Sequence, residues 1–73
     1  MENRLDLHGV KHENVQPIVD KFLFEAMNKK KDRVYIITGN SDEMKRIVIN
    51  VVKDYKFLVS ESLFSSAELI IDL

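Results

Sequence analysis

Residues 5–9 read LDLHG, a short apolar run that ends in a histidine and a glycine. Because strand side chains alternate between faces, a strand over residues 4–8 places its two leucines on one face and Asp6 and His8 on the other. Gly9 then permits a sharp exit from the strand, since glycine adopts positive φ without steric cost. The stretch therefore predicts a strand end at which a carboxylate and an imidazole project together.

A helical pattern follows, from about His12 to Lys29. Pro17 is tolerated only near the first turn of a helix, so the helix is predicted to start between His12 and Asn14. The pattern ends in KKKDR, residues 29–33, where cations suit the negative C-terminal end of the helix dipole. This basic run is interpreted as a solvated helix end in preference to a nucleic-acid grip. The apolar residues of the helix recur three and four apart, as on one buried face, and are Val15, Ile18, Val19, Phe22, Leu23, Ala26 and Met27.

The remaining residues predict a second strand and helix, then two closing strands. VYIITG, residues 34–39, is the β-branched and aromatic run of a buried strand. The NSDE that follows offers helix caps at Asn40, Ser41 or Asp42. The final strands are predicted over residues 57–64 and 68–73, with a turn between them at residues 65–67. The second helical stripe comprises Met44, Ile47, Val48, Val51, Val52 and Tyr55.

The predicted element order is β-α-β-α-β-β. Right-handed β-α-β crossovers make the first two strands parallel, and the last two strands close as a hairpin. The predicted fold class is α/β, a two-layer sandwich with a four-stranded mixed sheet, two helices on one face and the other face largely open. With 73 residues and no linker, repeat or low-complexity segment, residues 1–73 are predicted to form one domain.

Composition bears on the cellular compartment of the protein and on the kind of polyanion site it can have. The chain has no cysteine, which excludes disulfides and thiolate metal clusters and fits a reducing, cytoplasmic location. The opening MENRLDLHGV lacks the apolar run of a signal peptide, and no later stretch is long enough to cross a bilayer. The formal net charge is -1, so any site for a polyanion must be a local one.

Parallel first and second strands bring the two glycine-containing turns to the same edge of the sheet. Ligands of open α/β proteins gather outside the carboxyl ends of the strands. The helix that starts after Gly39 presents unbonded backbone N–H groups, which suit a phosphate. The sequence therefore predicts a small anion site with an acid–base group, His8, beside it.

LDLHG at the end of the first strand, followed by an amphipathic helix and by IITG (residues 36–39) at the start of a second, resembles the Smr (small MutS-related) domain. The resemblance is to the short stand-alone form and extends from Leu5 to Leu73. That family is associated with nucleic-acid binding and with nicking or cleavage of DNA or RNA. The resemblance therefore implies a nucleic-acid partner and endonuclease activity. A homodimer or a protein partner is left open.

The resemblance also implies roles for individual residues. The family's Asp-Leu-His-Gly motif falls on residues 6–9, which implies that Asp6 and His8 are catalytic. The family's second motif, Thr-Gly or His-Gly followed by another glycine, falls on Thr38 and Gly39, but Asn40 and Ser41 stand where a lysine- and glycine-bearing loop is usual. Asp42 and Glu43 add two negative charges that would repel a phosphate. The implied phosphate-binding set is Gly9, Thr38, Gly39, Asn40, Ser41, Lys45 and Arg46.

Several chemical readings of Asp6 and His8 stay open. A histidine with an ordinary pKa of about 6.5 serves as acid or base at neutral pH, and the carboxylate orients its ring or favours the imidazolium. With RNA, the 2′-hydroxyl is the nucleophile and no metal is needed. Alternatively, Asp6 and His8 hold one divalent cation, although two ligands are few, so no cofactor or metal site is assigned. The functional alternative is a catalytically inactive module that binds nucleic acid or protein, with His8 a local hydrogen-bonding residue and residues 38–39 an ordinary turn.

Overall fold

The computed structural model describes residues 3–63, 65 and 67–73. The element order β-α-β-α-β-β and the two-layer α/β sandwich are confirmed. Among the described residues, no helix is long and apolar enough to span a membrane. The strands are β1 (Arg4–Asp6), β2 (Arg33–Ile37), β3 (Leu58–Glu61) and β4 (Glu68–Asp72), and the helices are α1 (His12–Asn28) and α2 (Asp42–Asp54).

The four strands form one mixed sheet in the order β1-β2-β4-β3. β1 and β2 are parallel, with Asp6 opposite Ile37, and β3 and β4 are antiparallel, so both predicted pairings are confirmed. β4 lies between β2 and β3 and runs antiparallel to both. The start of β4 is consequently brought to the carboxyl end of β2, at the edge where β1 also ends.

The core lies between one face of the sheet and the two helices. Alternate strand residues point into it, because the side chains of a strand alternate between the two faces of a sheet. Two members of the predicted α1 stripe lie outside it: Ile18 is 36% exposed and Met27 is 46% exposed, because they flank the buried stripe of the helix. The buried apolar residues are Leu7, Val15, Val19, Leu23, Ala26, Val34, Ile36, Met44, Val48, Val51, Val52, Leu69 and Ile71.

The other face of the sheet is covered by polar pairs in place of helices. The Arg4 guanidinium lies 5.3 Å from the centre of the Tyr35 ring, and its Nε donates to the Glu68 carboxylate at 3.1 Å. Arg33 Nε donates to the Asp72 carboxylate at 2.7 Å, and this hydrogen bond raises the pKa of the Arg33 guanidinium above its already high ordinary value. Both pairs are exposed to solvent, which screens them, so they organise this face more than they stabilise it.

Several predicted boundaries shift by one to three residues. β1 ends at Asp6 and not at His8, because the next residues form a turn. α1 starts at His12 as predicted and ends at Asn28, one residue before the predicted end. Within the strand predicted over residues 57–64, β3 covers Leu58–Glu61. It starts after Phe57 because the Phe57 N–H donates to the Val52 carbonyl and closes α2. Phe64, the predicted end of that strand, lies outside the described residues, as do Met1, Glu2 and Ser66.

Both helices end in a Schellman motif that uses a lysine where glycine is usual. After α1, Lys30 has φ +57°, its N–H donates to the Met27 carbonyl, and Lys31 N–H donates to the Ala26 carbonyl. Lys56 closes α2 in the same way with φ +63°. A left-handed conformation costs a non-glycine residue about 1 kcal/mol, so these two positions store strain.

Replacing Lys30 or Lys56 with glycine is therefore expected to raise the free energy of unfolding by up to about 1 kcal/mol each, because glycine adopts positive φ without a Cβ clash. Urea denaturation followed by circular dichroism measures the change. Lys53→Gly is the matched control, since it removes a lysine from the last turn of α2, and it is expected to destabilise by about 1 kcal/mol. Equal destabilisation by all three substitutions would contradict the assignment.

Candidate functional site

The turns that follow β1 and β2 share one edge of the sheet. Leu7 N–H donates to the Ile37 carbonyl at 2.9 Å, which extends the parallel ladder one residue beyond β1. Because β4 is antiparallel to β2, its first residue, Glu68, lies opposite Ile37 at the same edge. We call this end of the sheet, where β1 and β2 finish, the carboxyl rim. It is formed by residues 6–9, 37–42 and 67–68. The predicted meeting of the two strand ends is confirmed.

The turn after β1 presents His8 to solvent on a fixed backbone. Val10 N–H donates to the Leu7 carbonyl at 3.0 Å, which closes a tight turn with His8 and Gly9 at its centre. Gly9 has φ +80°, the value that a type II turn requires at this position. The Asp6 carboxylate accepts the backbone N–H of His8 at 2.9 Å. Asp6 thus holds the backbone of His8, whereas the sequence predicted a contact with its ring.

The turn after β2 is hydrogen-bonded to the residue that precedes β4. The Ala67 carbonyl accepts the N–H of Thr38 at 2.7 Å and that of Gly39 at 3.1 Å. The Thr38 hydroxyl lies 3.3 Å from the same carbonyl and 3.0 Å from the Gly39 carbonyl, and the residue is only 4% exposed. Gly39 has φ +70°, which the turn requires. The N–H groups of Thr38 and Gly39 are therefore used within the fold, whereas the phosphate site predicted from the sequence rests on the N–H groups of the first turn of α2.

The first turn of α2 carries mixed charge. Ser41 is the N-cap, and its hydroxyl accepts Met44 N–H at 3.1 Å, which selects one of the three predicted caps. The Arg46 guanidinium donates to the Glu43 carboxylate at 3.0 Å, so the positive charge predicted to attract a phosphate is partly neutralised. Lys45 lies half-buried beside it, while Asn40 and Asp42 are exposed. The first turn of α2, next to the rim, is therefore less favourable to a polyanion than a bare helix end.

A shallow groove of about 270 Å³ lies beside the rim on the open face of the sheet. The Arg4–Glu68 ion pair borders it, and Ile37, Ser65 and Ala67 complete its lining. Neither charged residue is among the site residues predicted from the sequence. The alternation of strand side chains places Arg4 on the same face as Asp6, so the sequence did indicate Arg4. Glu68 reaches this end of the sheet only because β4 lies next to β2.

The chemistry available for a metal ion at the rim is limited. Among the described residues, no three or more His, Cys, Asp or Glu side chains lie close enough to hold a metal ion. Asp6 and His8 are a pair, and the carboxylate of that pair already accepts the His8 N–H. Two such ligands are few for a metal centre.

An open α/β sheet whose polar residues meet beyond the carboxyl ends of two parallel strands places this chain among the α/β domains, in which ligands commonly bind at that end of the sheet. Within that class, the Smr domain family model matches residues 5–63, and the chain belongs to the Smr domain family. This family is generally linked to nucleic-acid binding and nuclease activity.

One solved structure with the same fold is that of YdaL, a stand-alone small MutS-related protein from Escherichia coli. The two chains are 20% identical and superpose with a TM-score of 0.77, over 97% of this chain and 63% of the YdaL chain. At this identity the likeness shows the shared fold, and this chain spans less than two thirds of the YdaL chain. Among curated proteins, none matches the sequence.

Proposed function

We propose that this Smr domain is an endonuclease that cleaves or nicks RNA or DNA at the carboxyl rim, with His8 as the acid–base group. The observation that carries the proposal is the exposure of His8 in a turn whose backbone is held by Asp6, Leu7 and Gly9. A side chain on a fixed backbone beside the ends of two strands suits a reacting group. The absence of cysteine supports a reducing, cytoplasmic setting.

The proposed reaction on RNA uses the substrate's own nucleophile. The neutral His8 imidazole accepts the proton of a 2′-hydroxyl, and the 2′-oxygen forms a bond to the adjacent phosphorus. The bond from phosphorus to the 5′-oxygen breaks, and that oxygen takes a proton from the imidazolium or from solvent. The products are a 2′,3′-cyclic phosphate and a 5′-hydroxyl end. On DNA, which lacks the 2′-hydroxyl, His8 would instead take the proton of an attacking water.

Asp6 acts in this proposal as a positioning residue. Its carboxylate accepts the His8 N–H at 2.9 Å, so its effect on the reaction passes through the backbone of the turn. Of the implied phosphate-binding set, Gly9 shapes this turn, while Asn40, Lys45 and the helix start capped by Ser41 remain the groups proposed to meet the polyanion. Thr38 and Gly39 support the site by holding β4.

A second candidate is a catalytically inactive module of the same fold that binds nucleic acid, a protein or a second copy of the chain. The net charge of -1 and the two carboxylates in the first turn of α2 favour it. The Glu43–Arg46 pair favours it too, because it lowers the positive potential at the rim. In this case the rim binds its partner weakly and leaves it intact.

A cleavage assay on end-labelled single-stranded RNA and on supercoiled DNA, with and without a chelator, separates the two candidates. The proposal predicts that RNA is cleaved in the presence of the chelator and ends in 2′,3′-cyclic phosphate. RNA with a 2′-O-methyl group at every residue is expected to stay intact, and its cleavage would contradict the 2′-hydroxyl mechanism. Salt-dependent binding with no cleavage of any substrate would support the inactive module.

The proposed role of Asp6 predicts different effects for two substitutions. Asp6→Asn keeps an oxygen that accepts the His8 N–H, so cleavage is expected to stay within about threefold of the parent rate. Asp6→Ala removes the acceptor and loosens the turn, and a loss of about ten- to hundredfold is expected. Rates of RNA cleavage at saturating protein measure both. A loss with Asp6→Asn as large as that with Asp6→Ala would instead indicate that the negative charge acts on the reaction.

A further inference from the structure

A second groove, of about 200 Å³, lies at the opposite end of the sheet from the carboxyl rim. It is formed where α1 ends and the chain enters β2, beside the free edge of β1. We call it the amino-end groove. Its lining residues are Arg4, Phe22, Glu25, Ala26, Lys29, Lys31 and Val34.

The amino-end groove has an apolar floor and a basic border. The half-buried Phe22, the buried Ala26 and the buried Val34 supply the apolar part. Three cationic side chains and one carboxylate, Glu25, surround them, and one of the cations, Arg4, is paired with Glu68. This local excess of positive charge stands out in a chain whose net charge is -1.

The basic border is built by the end of α1. Lys30 adopts φ +57°, and Lys31 N–H donates to the Ala26 carbonyl, so the chain turns back over the helix end. This turn brings Lys29 and Lys31 to the same groove and leaves Lys31 half-buried. The KKKDR run, interpreted from sequence as a solvated helix end, thus lines a concave surface.

We propose that the amino-end groove binds one unpaired nucleotide of a single-stranded nucleic acid, with the base on the apolar floor and its phosphates against Lys29 and Lys31. This inference rests on the proposed function, whose substrate it specifies as single-stranded. Single-stranded nucleic acid is bound by basic grooves with aromatic side chains on which bases stack. Pockets that enclose a drug-sized ligand measure roughly 300–1,000 Å³, so this smaller groove suits a single ring system.

β1 runs from the amino-end groove towards the carboxyl rim. Arg4 lines the amino-end groove and also borders the groove beside the rim. Its guanidinium is held by Glu68 and the Tyr35 ring, so its position between the two grooves is fixed while its charge is partly neutralised. Asp6 lies two positions after Arg4 along the strand, a rise of about 7 Å. A bound strand therefore reaches His8 within a few nucleotides of the base in the groove.

Charge reversal tests the phosphate contacts. Binding of the full chain to a fluorescein-labelled ten-nucleotide oligouridine is measured by fluorescence anisotropy. Lys29→Glu and Lys31→Glu are each expected to weaken binding at least about tenfold and to reduce its salt dependence. Lys53→Glu makes the same charge change on α2, which packs on the β3 side. Its affinity for the oligouridine is expected to stay within about twofold of the parent affinity. Equal losses in all three variants would overturn the inference.

Removal of the base tests the apolar floor. An oligonucleotide of the same length and charge with abasic sites throughout is expected to bind at least about fivefold more weakly than the intact one. Phe22→Leu, checked for folding by circular dichroism, is expected to weaken binding of the intact oligonucleotide and not of the abasic one. Equal binding of the two oligonucleotides by the parent protein would overturn the base contact.

These outcomes also separate this inference from the proposed function. Cleavage lost with His8→Ala, together with equal binding by Lys31→Glu and Lys53→Glu, would remove the groove and leave the endonuclease. Binding that depends on the groove, with no cleavage by the parent, would remove the endonuclease and leave the groove. A parent protein that binds neither RNA nor DNA would remove both.

Discussion

Leu7→Ala is expected to lower the free energy of unfolding by about 3 kcal/mol, within the range of roughly 2–5 kcal/mol for truncating a buried leucine. Leu7 is 0% exposed, and it is the residue between Asp6 and His8. Its side chain joins the core while its neighbours face the rim. A chain of 73 residues has a total stability of roughly 4–11 kcal/mol, so this one substitution removes a large share of it.

Urea denaturation followed by circular dichroism measures this effect. Leu58→Ala is the matched control, because Leu58 is 74% exposed at the start of β3 and its loss is expected to change stability by about 0.5 kcal/mol or less. Similar midpoints for the two variants would contradict the account of Leu7 as the link between rim and core. The loss at Leu7 is also expected to lower any activity of the rim, since the turn that carries His8 starts at this residue.

The layout of the first two strands was predictable from local patterns. Leu5 and Leu7 alternate with Asp6, which indicates a strand. An amphipathic helix separates this strand from the next β-branched run, and a right-handed crossover then makes the two strands parallel. Gly9 and Gly39 were assigned to turns, and both have positive φ. These features depend on local patterns, so the meeting of residues 6–9 and 37–42 at the carboxyl rim followed from them.

The parts that failed depend on contacts between distant residues. The Ala67 carbonyl accepts the N–H groups of Thr38 and Gly39, a contact that no local pattern indicated, because β4 lies next to β2. Strand order of this kind is not encoded in local periodicity. The amino-end groove was missed for a related reason, since it needs a left-handed lysine at position 30 that no turn rule indicates.

His8→Ala is expected to reduce the rate of RNA cleavage by about 10²- to 10⁴-fold, the contribution typical of an acid–base group. The His8 side chain is exposed, and the hydrogen bonds that hold its turn come from the backbone and from Asp6. The substitution therefore leaves the fold and the core intact, and urea denaturation is expected to show a change of about 0.5 kcal/mol or less. A loss of activity with unchanged stability assigns the effect to the imidazole itself.

The chain contains one other histidine, which makes the control unusually close. His12 is the first residue of α1, is exposed, and lies four residues after His8. His12→Ala removes the same side chain from the same end of the molecule, outside the turn. Its cleavage rate is expected to stay within about threefold of the parent.

The most direct measurement is therefore the ratio of the single-turnover cleavage rates of His8→Ala and His12→Ala on one end-labelled single-stranded RNA. An acid–base histidine on the carboxyl rim predicts that the His12 variant is faster by about a hundredfold or more. Equal rates for the two variants would contradict it, because the imidazole of the LDLHG turn would then have no part in the chemistry.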